Sequence, residues 1–232
     1  MILQLINLRF YIIKLEKLFN RGRDYFMSNK VYDCTFIIGR FQSGVPHIGH
    51  EHIIDTARKM SDRTLIFIGS ATELPSLRNP YSITTRINMM RELYDDPNVI
   101  IAPLPDLTSS DDESYAWGEY LTDNIDKHIY KQPDCMVYGL SEEEQGRATR
   151  WFDTKKASSM SFMMVPRQTV PISGTMIREI MIQNNRKEWM KWVNPKFHKY
   201  YDILREELMR VPECKELEKQ FWIEQSTTST KK

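Results

Sequence analysis

The sequence predicts an α/β fold: a Rossmann-like, doubly wound parallel sheet with C-terminal helices packed against it. Two observations carry that expectation. Apolar runs rich in β-formers recur along the chain, and they alternate with stretches in which apolar residues fall at helical spacing. The first such run, residues 34–38 (CTFII), reads as a strand buried on both faces. After the turn GRFQSGVPHIGH the period changes, with Ile53, Ile54, Ala57 and Met60 on one helical face from His50 onward. Further strands are expected over residues 64–69, 98–102, 135–138 and 161–165, with helices over 83–94 and about 113–129. A last unit starts at Ser173, an N-cap whose neighbours Ile172 and Ile177 form a hydrophobic staple. Residues 181–218 supply Trp189, Trp192, Phe197, Tyr200, Tyr201 and Leu204 for packing helices.

These boundaries divide the chain into an N-terminal extension (residues 1–26), a Rossmann-like domain (27–182), C-terminal helices (183–223) and a polar, unstructured tail (224–232). The first 19 residues are apolar but broken by Arg9, Lys14, Glu16 and Lys17, which argues against both a signal peptide and a membrane span. The domain is expected to start at Met27, a few residues before the first strand. A chain of 232 residues, 41% hydrophobic, can bury one substantial core. Its net charge of +1 gives no global attraction to nucleic acid or membrane, so any phosphate binding is local. Cys34, Cys135 and Cys214 form no CxxC pair, which disfavours zinc or a disulfide framework and suits a reduced, cytoplasmic protein.

Chemistry concentrates at two places. His47 and His50, spaced His-x-Gly-His, sit on a strand-to-helix turn, where free backbone N–H groups and the helix dipole favour an anion. Gly49 carries no Cβ to keep a phosphate away. Distant in sequence, ISGTMIR adds the hydroxyl of Thr175 and the forked cation of Arg178 to a second helix start. A histidine in isolation is more often structural, and a capped helix is ordinary, but the pair together points to polyphosphate. His52, His128 and His198 lie in no motif, and the acidic runs 111–113 and 142–144 read as solvated loops.

Together these motifs resemble the nucleotidyltransferase superfamily of the HxGH and ISxTxIR type, and within it the archaeal-type nicotinamide-nucleotide adenylyltransferases. RNPYSITTRINMM (residues 78–90) is similar to that family's segment after the second strand, Tyr115 and Trp117 to its substrate-side helix, and Gly139 to the glycine before its adenine-side loop. One departure is visible: Ser43, Gly44, Val45 and Pro46 separate Gln42 from His47, where the family has a proline and one residue, so His47 is less secure than His50.

The resemblance implies adenylyl transfer, with a mononucleotide's phosphate attacking the α-phosphorus of ATP in line. In the roles it implies, His47, His50 and Arg178 act on the triphosphate, and Gly39, Arg40, Phe41, Gln42, Gly49, Gly139, Ser173, Gly174 and Thr175 bind ATP. Trp117 stacks on the acceptor's pyridinium ring, and Arg86 holds the acceptor's phosphate. Magnesium is carried mainly by the ATP phosphates, with no protein residue assigned as its ligand. The partners implied are ATP and a pyridine mononucleotide, in a chain that could form a homo-oligomer. Other acceptors remain open: nicotinate mononucleotide, flavin mononucleotide, phosphopantetheine or glycerol 3-phosphate. So does a non-catalytic nucleotide-binding regulator, because fold alone does not establish activity. The HIGH string also resembles class I aminoacyl-tRNA synthetases, but the chain lacks their length, basic bias and lysine-rich loop.

Overall fold

In the computed structural model, which describes residues 30–107, 115–129, 133–140, 150–166 and 170–229, five parallel strands form one sheet in the order β3-β2-β1-β4-β5. The elements are β1 (Tyr32–Gly39), α1 (Ile48–Met60), β2 (Ser61–Ile68), α2 (Ile83–Leu93), β3 (Val99–Pro103), α3 (Tyr115–Ile129), β4 (Cys135–Leu140), α4 (Thr154–Ser158) and β5 (Ser161–Pro166). After them come α5 (Gly174–Ile182), α6 (Arg186–Trp192), a 3-10 segment (Pro195–Tyr200), α7 (Tyr201–Leu208) and α8 (Pro212–Ser229). The predicted strand-helix alternation is therefore what the chain adopts. The expected extension before Met27 and both acidic runs lie outside the described residues.

The apolar runs become two-faced strands because their side chains alternate between two cores. Phe36, Leu65 and Phe67 point to one face, where Leu121 and Ile125 of α3 cover them. Ile37, Ile66 and Ile68 point to the other, against Ile54 and Ala57 of α1 and Met90 of α2. Central β1 pairs with β2 along its length and with β4 at Thr35 and Phe36. Strand order reverses between β1 and β4, so a crevice opens beyond their carboxyl ends.

A third core holds the C-terminal helices. Trp189, Phe197, Tyr201, Leu204 and Leu208 pack with Ile177 and Met181 of α5, with Val45, and with Tyr81, and the cluster contains no residue of the strands. These helices thus lie on α5 and the loops at the crevice, beside the sheet. The expectation of an unstructured tail from Glu224 is corrected as far as Ser229, where α8 continues. No glycine or proline interrupts residues 213–229, and the hydroxyls of Ser226 and Thr227 donate back to the carbonyls of Trp222 and Ile223. No helix among the described residues is long and apolar enough to cross a membrane.

Candidate active site

The crevice is built from the end of β1 upward. Beyond Gly39 the chain turns sharply at Phe41, which adopts a left-handed backbone (φ 51°). A side chain on Gly39 would meet the Phe41 ring at 3.1 Å, so the glycine makes this turn possible. Ser70, just past β2, is also left-handed (φ 50°). Such backbones cost about 1–3 kcal/mol each and persist only where the surroundings hold them.

Arg86 does the holding. Its guanidinium donates through Nη1 to the carbonyls of Arg40 (2.8 Å) and Gly69 (2.6 Å), and through Nη2 to Ser70 (2.9 Å). Nε donates to Tyr81 (3.1 Å) and Ser82 (3.3 Å). The residue is 3% exposed and does not line the crevice. This corrects the expected role of Arg86: its donors are committed to main chain, so it shapes the ends of β1 and β2 instead of gripping an acceptor phosphate.

His47, not His50, caps α1. Its backbone is extended, and Nδ1 accepts from the N–H of His50 at 3.2 Å. An accepting Nδ1 leaves the neutral ring's proton on Nε2. The two imidazoles stack at 3.6 Å, and His50 meets the Phe41 ring edge-on at 4.8 Å. A side chain on Gly49 would lie 3.1 Å from the His47 ring, so the space this glycine leaves is filled by imidazole. The long loop before His47 is secured from outside. Ser43 donates to the Val45 carbonyl at 2.6 Å, Val45 is 1% exposed within the C-terminal core, and the His47 main chain bridges to Val193.

The second motif arrives at the same place. Ser173 caps α5 by accepting from the N–H of Met176 at 3.2 Å, which leaves its own hydroxyl proton for a ligand. Arg178 donates to the carbonyl of Gln42 at 2.8 Å and to Thr175 Oγ1 at 3.0 Å. Partial burial pulls the Arg178 guanidinium below its ordinary range. One arginine thus ties the turn after β1 to the start of α5. Gln42 is itself fixed, its Oε1 accepting from the N–H of Tyr81 at 3.1 Å.

The resulting cavity has a volume of about 430 Å³. It is lined by Gly39, Arg40, Phe41, Gln42, His47, Gly49, His50, Gly139, Ser173, Gly174, Thr175 and Arg178, and also by Trp117, so every predicted site residue except Arg86 meets here. Arg78, Asp106, Tyr138 and Trp151 join them. Arg78 stands in the RNPY run and Asp106 in PLPDL just past β3, a position where strand ends carry function. Trp151 had no local signal. It lies edge-on to Trp117 at 6.1 Å, and a side chain on Gly118 of α3 would collide with its carbonyl at 1.8 Å. Among the described residues Asp106 is the only carboxylate that lines the cavity, and no cluster of three or more His, Cys, Asp or Glu side chains could hold a metal.

Comparison with known proteins agrees with this geometry. The chain matches the model of the cytidylyltransferase-like family over residues 36–180. It is 26% identical over 186 residues to the nicotinamide-nucleotide adenylyltransferase of Aeropyrum pernix, covering 77% of this chain and 97% of that protein. The enzyme of the same description from Archaeoglobus fulgidus is 38% identical over 81 residues, 32% of this chain and 45% of the relative. Among solved structures, a bifunctional NMN adenylyltransferase/ADP ribose pyrophosphatase from Francisella tularensis shares the fold, with a TM-score of 0.59 at 22% identity. That alignment covers 87% of this chain and 57% of the Francisella protein, so the chain spans little more than half of it. The same Francisella protein is also known complexed with AMP and a Mn ion, and matches with a TM-score of 0.59. Because the family match includes both helix starts that close on the cavity, the chain belongs to the cytidylyltransferase-like family of nucleotidyltransferases.

Proposed function

We propose that this chain transfers AMP from ATP to nicotinamide mononucleotide, forming NAD and pyrophosphate. The observation that carries the reading is the Arg178 bridge, which brings two helix N-termini, two histidines and a guanidinium to one cavity. The acceptor's phosphate oxygen is already an anion, so its attack on the α-phosphorus of ATP needs no general base and no covalent intermediate. What remains is to bring two anions together in line and to stabilise charge on the departing pyrophosphate.

This chain's own groups divide that work. The Nε2–H of His47 and the imidazole of His50 donate to the triphosphate, and Arg40 and Arg178 offset its charge. Ser173 and Thr175, with the start of α5 beneath them, take the β- and γ-phosphates. Trp117 offers its face to the pyridinium ring. A cavity with cationic and neutral donors and one carboxylate suits a divalent ion carried chiefly by phosphate oxygens. Magnesium bound in that way supplies charge neutralisation to the leaving group. Three separate buried thiols suit a cytoplasmic setting.

The test is a magnesium-containing assay with ATP against a panel of phosphorylated acceptors, following pyrophosphate and identifying the adenylated product by mass. NAD from nicotinamide mononucleotide is expected; nucleotide binding without turnover would make the chain a binder only. In the same assay Trp117→Ala should raise KM for the acceptor and leave KM for ATP nearly unchanged. An equal rise in both would mean lost packing instead.

A further inference from the structure

We propose that Asp106 and Trp151 are specificity-determining residues of the acceptor half, selecting a pyridinium ring that carries an uncharged amide over one that carries a carboxylate. The inference rests on the pyridine-nucleotide reading above and deepens it. Asp106, Trp117 and Trp151 line the same cavity, and a chain of contacts links the first and the last to Trp117. The Trp117 ring lies 5.4 Å from that of Tyr120, one turn along α3, and Tyr120 donates its hydroxyl to the carbonyl of Pro105 at 2.9 Å. The next residue is Asp106. Its charge is felt at Tyr120, where burial first and Asp106 second push the phenol above its ordinary value. On the other side Trp151 meets Trp117 at 6.1 Å with the planes 79° apart, carried there because Gly118 lets its main chain rest on α3.

Two indoles at right angles form a corner. A flat ring stacked on Trp117 presents its edge to Trp151, and the edge of a pyridinium is its most positive part, attracted by an indole face. Asp106 acts on the substituent. An ionised carboxylate only accepts hydrogen bonds, so it takes one from an amide N–H and repels a second carboxylate. Asp106 Oδ2 is shielded from water and has no hydrogen-bond partner among the described residues. In such surroundings repulsion between like charges is screened far less than in water. A site built around one hydrogen bond also rejects strongly the analogue that cannot make it.

The experiment compares kcat/KM for nicotinamide and nicotinate mononucleotide in the unmodified protein and in Asp106→Asn. The unmodified protein is expected to favour the amide at least tenfold. Asp106→Asn should narrow that ratio fivefold or more, mainly through improved use of the nicotinate form, since Asn offers both a donor and an acceptor. For Trp151, KM is measured with nicotinamide mononucleotide in its oxidised form, whose ring is cationic, and its reduced form, whose ring is neutral; Trp151→Leu should weaken the preference for the oxidised form. Equal use of the acid and the amide by the unmodified protein overturns the proposal without any variant having to fold. An unchanged ratio in a folded Asp106→Asn does the same. If the unmodified protein adenylates neither acceptor, the broader functional reading falls as well, and that outcome is distinct from turnover without selectivity.

Discussion

Arg86 and Gly49 shape the cavity through contacts that local sequence does not report. A buried cation is expensive unless its donors are satisfied. Arg86 meets that demand with five main-chain carbonyls, while burial pulls its guanidinium down to about 10, still a cation at neutral pH. Three of those carbonyls, of Arg40, Gly69 and Ser70, belong to the segments carrying the left-handed Phe41 and Ser70, so the side chain offsets strain at the mouth of the cavity. Arg86→Lys keeps the charge but a compact ammonium cannot span the fork. It is expected to lose about 2–4 kcal/mol of stability, since each abandoned buried acceptor costs about 1–3 kcal/mol. KM for ATP should rise at the same time. Urea denaturation beside steady-state kinetics checks both, and a normal KM in a destabilised variant would confine the residue to folding. Gly49 makes the opposite case. Gly49→Ala should gain up to about 1 kcal/mol of helix propensity, yet its methyl would stand 3.1 Å from the His47 ring, which must shift to make room and so loosens its bond with the His50 N–H. Turnover is expected to fall about tenfold or more while the unfolding midpoint barely moves; unchanged kcat would show that the imidazole stack is dispensable.

At the scale of elements, the parts visible in the sequence are those fixed by their own neighbours. Strand β1 follows from an unbroken apolar run, and α5 from a serine flanked by two isoleucines, both of which enter the C-terminal core as a staple requires. Ser173→Ala should cost about 1 kcal/mol through loss of the cap to Met176, and also raise KM for ATP, because the same hydroxyl has a proton to give. Elements set by distant partners were not legible. The periodicity of α2 says which face is buried, but only the order of the sheet brings the carbonyls of Arg40, Gly69 and Ser70 to Arg86. Starting the helical period at His50 missed that α1 begins at Ile48 with His47 as its cap, because a histidine two residues before a glycine is not an evident cap until its ring is seen to accept from the turn. Trp151 enters the cavity through a contact with Gly118, 33 positions earlier, that no local pattern reports. That contact makes its own prediction. Gly118→Ala cannot be accommodated with a carbonyl 1.8 Å from the new methyl, so the segment at Trp151 must retreat. KM for the acceptor should rise severalfold with KM for ATP little changed, and parallel changes in both would locate the damage in the sheet.

The whole molecule couples a nucleotide-binding sheet to a helical cap, and one carboxylate sits at the seam. Glu51, in the first turn of α1, accepts from Asn194 Nδ2 at 3.2 Å, while Asn194 also caps the 3-10 segment through its Oδ1. With the His47–Val193 bridge two residues of the C-terminal unit thereby grip the helix that presents both histidines. An acid in a first turn gains about 0.3–1 kcal/mol from the dipole when exposed. Here burial prevails: it raises the Glu51 carboxyl above its ordinary value, the Asn194 bond lowers it in part, and Asp55 raises it again. Its Oε1 is buried with no hydrogen-bond partner among the described residues. Because the folded value lies above the unfolded one, the folded state holds this proton more tightly. The group's contribution to stability is therefore full below the unfolded value and is lost as pH rises through the folded one. At neutral pH Glu51 is consequently a net cost. Glu51→Gln, which can still accept from Asn194, should stabilise the protein at pH 7.5, and the gain should shrink as pH falls through the raised folded value and vanish below the usual carboxylate value of about 4.3. Urea midpoints of both proteins across that range decide it: a constant difference between them would mean that the carboxyl is not strained by burial, and that the seam is held by shape alone.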